Sequence, residues 1–114
     1  MSRHQAIADT FTVIADPTRR ALLDLLRERD HTVSELVAQF DVTQSAISQH
    51  LKHLRDAGLV ETRRVGREIH YRLVAAPLED VARWVGQYEA FWRHKLGKLG
   101  ALLDQLPDDE DESP

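Results

Sequence analysis

Cysteine is absent from this chain, which excludes disulfides, thiolate metal ligands and thiol redox sensing at once. No apolar run approaches the length of a bilayer span, and the N-terminus lacks the apolar core of a signal peptide, so a cytoplasmic protein with no membrane partner is expected. The glycines form no phosphate-cradling loop, and no HExxH, GxSxG or paired-carboxylate pattern occurs. Without a nucleophile, an oriented acid or base, or a ligand set, no enzymatic activity and no cofactor are expected. With 114 residues there is room for one small domain, whose core would be marginal unless a second subunit extends it.

The formal net charge of -4 is unevenly spread. Six of the 19 acids lie between Asp104 and Glu112, leaving the rest of the chain with 15 basic against 13 acidic residues. Between Gln44 and Arg72 the balance is six bases (Lys52, Arg55, Arg63, Arg64, Arg67, Arg72) against three acids (Asp56, Glu61, Glu68). A phosphate approaching within a Debye length or so meets that local field, not the total charge.

Punctuation along the chain predicts a succession of helices. Ile7, Phe11 and Ile14 form a weak apolar stripe on a first helix, His4 to Ile14. Asp16 is a natural N-cap with Pro17 at the first position of a second helix, whose buried face is Ala21, Leu22, Leu25 and Leu26. Thr32 and Glu35 make a capping-box pattern ahead of a short third helix bearing Leu36, Val37 and Phe40. After the polar break Asp41-Val42-Thr43, in which Thr43 or a neighbour is the cap, a fourth helix runs to about Ala57, with Gly58 placed to end it. Two helices separated by so short a break are a helix-turn-helix signal.

At ~100° per residue, Ile47, Leu51 and Leu54 share one side of the fourth helix, while Ser45, Ser48, Gln49 and Lys52 lie opposite. That outer side is short, polar and rich in hydrogen-bonding groups, as a helix reaching base edges requires, although a merely solvated face has the same composition. Leu59, Val60 and Thr62 then open an extended segment, Gly66 supplies a turn, and Ile69, Tyr71 and Leu73 alternate with polar neighbours: a two-stranded wing. Arg63, Arg64 and Arg67 crowd its tip, where they can meet phosphates or enter a minor groove. Directly after a helix-turn-helix, this basic hairpin points to duplex DNA as the partner.

Pro77 starts one last helix that can run to about Leu103. Val81, Val85, Tyr88, Trp92, Leu96 and Leu99 recur at three- and four-residue steps, and Trp84 and Phe91 widen the band, so the aromatic residues are concentrated here. Such a band exceeds what a small domain can hide. A homodimer is expected, joined through this helix and the Ile7 and Phe11 face of the first; an aromatic ligand pocket between them is the alternative. Residues 1–106 are expected to form a DNA-binding and dimerisation domain, and 107–114 a disordered acidic tail.

Four segments together resemble the ArsR/SmtB family of winged-helix repressors: ADPTRRALLDLL (15–26), TVSELVAQF (32–40), SAISQHLKHLRDAGLV (45–60) and GREIHYRL (66–73). The resemblance implies a mainly α fold with a small β-hairpin, a winged helix-turn-helix of four helices, two strands and a closing helix, sometimes with a short strand before the third helix, acting as a dimeric repressor on a palindromic operator near its own promoter. It places Gln44, Ser45, Ser48 and Gln49 at base-facing positions and Arg64 and Arg67 where family wings touch DNA. His50 falls in an SxxH-like region whose ring faces either phosphate or the domain interior.

The departures matter as much. Metal-sensing members use a Cys-x-Cys pair where this chain has Thr32 and Ser34, and an Asp-x-His pair with a later histidine pair where it has Asp80-Val81-Ala82 and Arg93-His94. His50 and His53 lie three apart on the recognition helix, but DNA or solvent claims them first. No metal site is expected, and the match is to the cysteine-free, metal-independent branch, whose members often end in a helix like Trp84-Val85-Gly86-Gln87-Tyr88-Glu89-Ala90-Phe91-Trp92. Two alternatives stay open: a winged helix used as a protein-interaction scaffold, and a repressor released by an unidentified small-molecule or metal effector.

Overall fold

The computed structural model describes residues 2–105, so the acidic tail expected at 107–114 lies outside the described residues. In chain order the elements are α1 (Arg3–Ile14), α2 (Pro17–Glu28), β1 (His31–Thr32), α3 (Val33–Val37), α4 (Gln44–Asp56), β2 (Val60–Val65), β3 (Glu68–Leu73), α5 (Leu78–Gly86) and α6 (Glu89–Asp104). They fall into two compact units, one ending at Val81 and one beginning at Ala82. No described helix is long and apolar enough to cross a membrane.

In the first unit the starts of α2, α3 and α4 are each satisfied by a side chain that the sequence offers. Asp16 accepts from the Arg19 amide with Pro17 following it, and Thr43 accepts from the Ala46 amide at 3.1 Å. At α3 the capping box is complete: Thr32 Oγ1 accepts from the Glu35 amide at 3.2 Å, and the Thr32 amide donates to Glu35 Oε1 at 2.9 Å. The end of α4 is a Schellman motif. Gly58, at φ +78°, donates to the Arg55 carbonyl, and Leu59 donates to the Leu54 carbonyl at 2.9 Å. Leu54 and Leu59, the apolar pair that accompanies this motif, are fully buried.

These ends let α2, α3 and α4 stack their apolar faces. Leu22, Leu36, Ile47, Leu51, Leu54 and Leu59 are the largest fully buried side chains, with Val13, Leu23, Leu26 and Val60 around them. The inward side of α1 is Thr10 and Val13, while Ile7, Phe11 and Ile14 are only half-buried. Thr10 enters the interior without cost in unmet polarity because its hydroxyl donates to the Ala6 carbonyl at 3.1 Å.

The sheet has three antiparallel strands in the order β1-β3-β2, so the expected two-stranded wing gains a short third member pairing His31 with Tyr71 and Thr32 with His70. In the hairpin Val65 faces Glu68, leaving Gly66 and Arg67 as a two-residue loop. Gly66 alone takes positive φ, at +64°, the pattern of a II′ turn whose twist suits the strands.

The single closing helix expected from Pro77 to about Leu103 is a correction: it is broken into α5 and α6. At the break the Gln87 and Tyr88 amides bond three residues back, to Trp84 and Val85, and Tyr88 stands at φ -101° and ψ 7°. Gly86 immediately before the break has the lower helix propensity that allows it. In the second unit Trp84, Val85, Tyr88, Phe91, Trp92, Leu96 and Leu99 are all exposed. Trp84 and Tyr88 stack edge to face at 5.4 Å, Lys95 lies 5.3 Å from the Phe91 ring centre, and the aromatic residues border an open groove of about 600 Å³.

Candidate nucleic-acid interface

The buried side of α4 decides what its other side can do. With Ile47, Leu51 and Leu54 locked into the core, Gln44, Ser45, Ser48 and Gln49 are carried outward, all exposed, and none makes a side-chain hydrogen bond among the described residues. Their donors and acceptors are uncommitted. Side chains of this kind match the major-groove edges of bases, and α4 follows the α3 turn as the second helix of a helix-turn-helix.

The charged candidates are committed to different degrees. Lys52 bonds Asp56 at 2.9 Å, one turn along α4, and that bond holds the Asp56 carboxyl below its ordinary range. Both partners are exposed, so the pair is weak and a phosphate can compete for the ammonium. Arg64 donates from Nε to the Gly66 carbonyl at 3.2 Å, which stiffens the wing tip. Arg67, in the two-residue loop, is exposed and makes no ion pair among the described residues. Arg63 lies 3.7 Å from Asp30, and Arg72 approaches the same carboxylate at 3.7 Å.

Asp30 is a residue that the sequence reading passed over. It stands just before β1 and joins β2 to β3 from outside the hairpin, a relation no spacing rule contains. Asp16 is legible in the sequence only as a helix cap and Arg19 carries no signal there, yet both lie against His50. That ring is half-buried and turned toward the start of α2, so His50 sits at the margin of the α4 outer face; His53 is exposed. Among the described residues no three His, Cys, Asp or Glu side chains gather as a group able to hold a metal ion.

Known proteins share this arrangement. The sequence profile for "Bacterial regulatory protein, arsR family" matches residues 16–62, from the α2 cap through α3 and α4 into β2. The chain is 36% identical over 77 residues to the transcriptional repressor SdpR of Bacillus subtilis, covering 68% of this chain and 86% of that protein. It is 34% identical over 113 residues to the HTH-type transcriptional regulator Rv2034 of Mycobacterium tuberculosis, covering 96% and 99% respectively. An ArsR-like transcriptional regulator from Rhodococcus sp. RHA1 superposes with a TM-score of 0.67 at 33% identity, over 90% of this chain and 97% of that one. With identity of this order extending across nearly the whole length, and with the winged helix-turn-helix on the first unit, the chain belongs to the ArsR/SmtB family of DNA-binding transcriptional regulators and is not an enzyme.

Proposed function

We propose that the protein represses transcription by binding a palindromic operator as a homodimer, each subunit reading one half-site through α4 and gripping the flanking backbone with its wing. The observation that carries this reading is the uncommitted polar side of α4, exposed opposite three buried core residues. Gln44, Ser45, Ser48 and Gln49 read bases in this scheme, and Lys52, His50, Arg63, Arg64 and Arg67 meet phosphate or the minor groove. The apolar positions Ile7, Phe11, Val81, Val85, Tyr88, Trp92, Leu96 and Leu99 are covered by the second copy, which sets two α4 helices about one DNA turn apart. Repression follows from occupying promoter DNA that polymerase requires.

Footprinting on fragments of the source genome would find the operator, and titrations on it and on scrambled duplex test the roles. Gln49→Ala is expected to remove about 1–3 kcal/mol of discrimination at one base position, whereas Arg67→Ala weakens all duplexes and lowers the salt slope by about one. Equal losses on every sequence for both variants contradict the assignment. A winged helix serving as a protein scaffold would show no salt-dependent preference for any duplex.

A further inference from the structure

A polar cluster in the first unit ties the start of α2 to the middle of α4. Arg19 donates from Nε to the Val13 carbonyl at 2.7 Å, closing off the end of α1, and its Nη1 lies 3.4 Å from Nδ1 of His50. Asp16 Oδ2 accepts from the Arg19 amide at 3.0 Å and lies 3.9 Å from the same ring nitrogen. The His50 side chain keeps 23% of its surface exposed.

A guanidinium only donates, so a ring nitrogen bonded to it must be the unprotonated one, and the proton of a neutral imidazole then resides on Nε2. Asp16 pulls the other way, because a carboxylate favours a proton on Nδ1. Distance decides between them: at 3.9 Å the carboxylate is beyond hydrogen-bond reach and already accepts from the Arg19 amide, whereas Arg19 approaches at 3.4 Å. With Nδ1 turned to α2, the opposite edge of the ring, carrying Nε2, is left for an outside acceptor.

We propose that Arg19 is a positioning residue for DNA binding: it holds His50 as the Nε2–H tautomer, so that α4 presents a fixed, uncharged donor to a backbone phosphate. The inference rests on the DNA-binding reading above and adds to it how the donor is prepared. Ring rotation and tautomer are settled before DNA arrives, which lowers the ordering cost of the contact. Because the donor is neutral, it strengthens binding without releasing a counterion.

The test uses the full chain with imidazole nitrogens labelled, in nitrogen–proton correlation spectra at about pH 8, where an ordinary imidazole is neutral. His50 signals are identified by their loss in His50→Asn. The wild type is expected to show the Nε2–H pattern, and Arg19→Ala a mixture of both tautomers. In parallel, His50→Asn keeps a δ-position acceptor for Arg19 but has no Nε2 donor. It is expected to bind operator and scrambled duplex alike about tenfold more weakly, with an unchanged salt slope and a urea midpoint near wild type. An Nδ1–H tautomer in the wild type, a pattern unmoved by Arg19→Ala, or wild-type affinity in His50→Asn overturns the proposal. Should Arg19→Ala fail to fold, the wild-type tautomer and the His50→Asn titration still decide it. Absence of any duplex binding by the wild type removes the DNA-binding reading and the phosphate donor together, whereas wild-type binding with the wrong tautomer removes only the role of Arg19.

Discussion

Gly58 and Leu54 show at the scale of single residues how two kinds of constraint meet at the end of α4. Gly58 stands at φ +78°, and a Cβ placed there would lie 3.9 Å from Pro77 Cγ, an ordinary contact. The cost of Gly58→Ala is therefore conformational and not steric, about 1 kcal/mol, readable as a lowered urea midpoint with an unchanged slope. Leu54 is fully exchanged from water to core, so Leu54→Ala is expected to cost about 2–5 kcal/mol and to loosen the very side of α4 that holds its outer face in place. A smaller loss in the same unfolding measurement would mean that the core collapses around the deletion. Gly58 was legible in the sequence because a helix stop is local chemistry; which leucines are buried completely was not, since period alone cannot rank them.

Helix starts carry the electrostatics at the scale of elements. The Thr32 amide holds the Glu35 carboxyl below its ordinary range, with Arg29 adding to the effect, and the Arg19 amide does the same for Asp16. Both carboxylates have a folded pKa below their unfolded value. Their contribution to stability is thus complete above the ordinary carboxylate range and is lost as pH falls below that range and through the depressed folded values. Urea midpoints measured from neutral to acid pH should decline in that window, and Glu35→Gln, which retains an acceptor for the Thr32 amide, should make the decline shallower. An unaltered acid limb in Glu35→Gln would assign the decline to other carboxylates. The wing is less self-contained. Its loop residues announce the turn, but the strand that borders β3 and the carboxylate shared by Arg63 and Arg72 come from the segment before α3.

The whole molecule presents the aromatic residues of α5 and α6 to solvent, and the proposed homodimer is the assembly that would cover them. Trp92 is 57% exposed and belongs to the second unit, so Trp92→Glu is expected to leave the folding of the first unit almost unchanged. It should shift sedimentation from dimer toward monomer, and operator affinity should fall much further than affinity for a single half-site. A Trp92→Glu protein that sediments as the wild type does would place the second copy elsewhere. The broad apolar band was legible from its spacing. Its interruption after Gly86 was not, because a single glycine is tolerated within many helices and the stripe runs on across it at three- and four-residue steps.

Sequence alone determined whatever depends on near neighbours along the chain: the Asp16, Thr32 and Thr43 caps, the Gly58 stop, the Gly66 turn, and the split of α4 into an apolar and a polar side. These follow from hydrogen bonds and backbone preferences that span at most a turn or two, so residue type and spacing suffice to specify them. Only the tertiary structure decided that α1 buries Thr10 and Val13 in preference to its more apolar stripe, that β1 joins the wing, that Asp30 serves two arginines, and that His50 turns toward Arg19. Each of those outcomes is a competition among groups distant in sequence, settled when packing brings one partner within reach and leaves the others outside it.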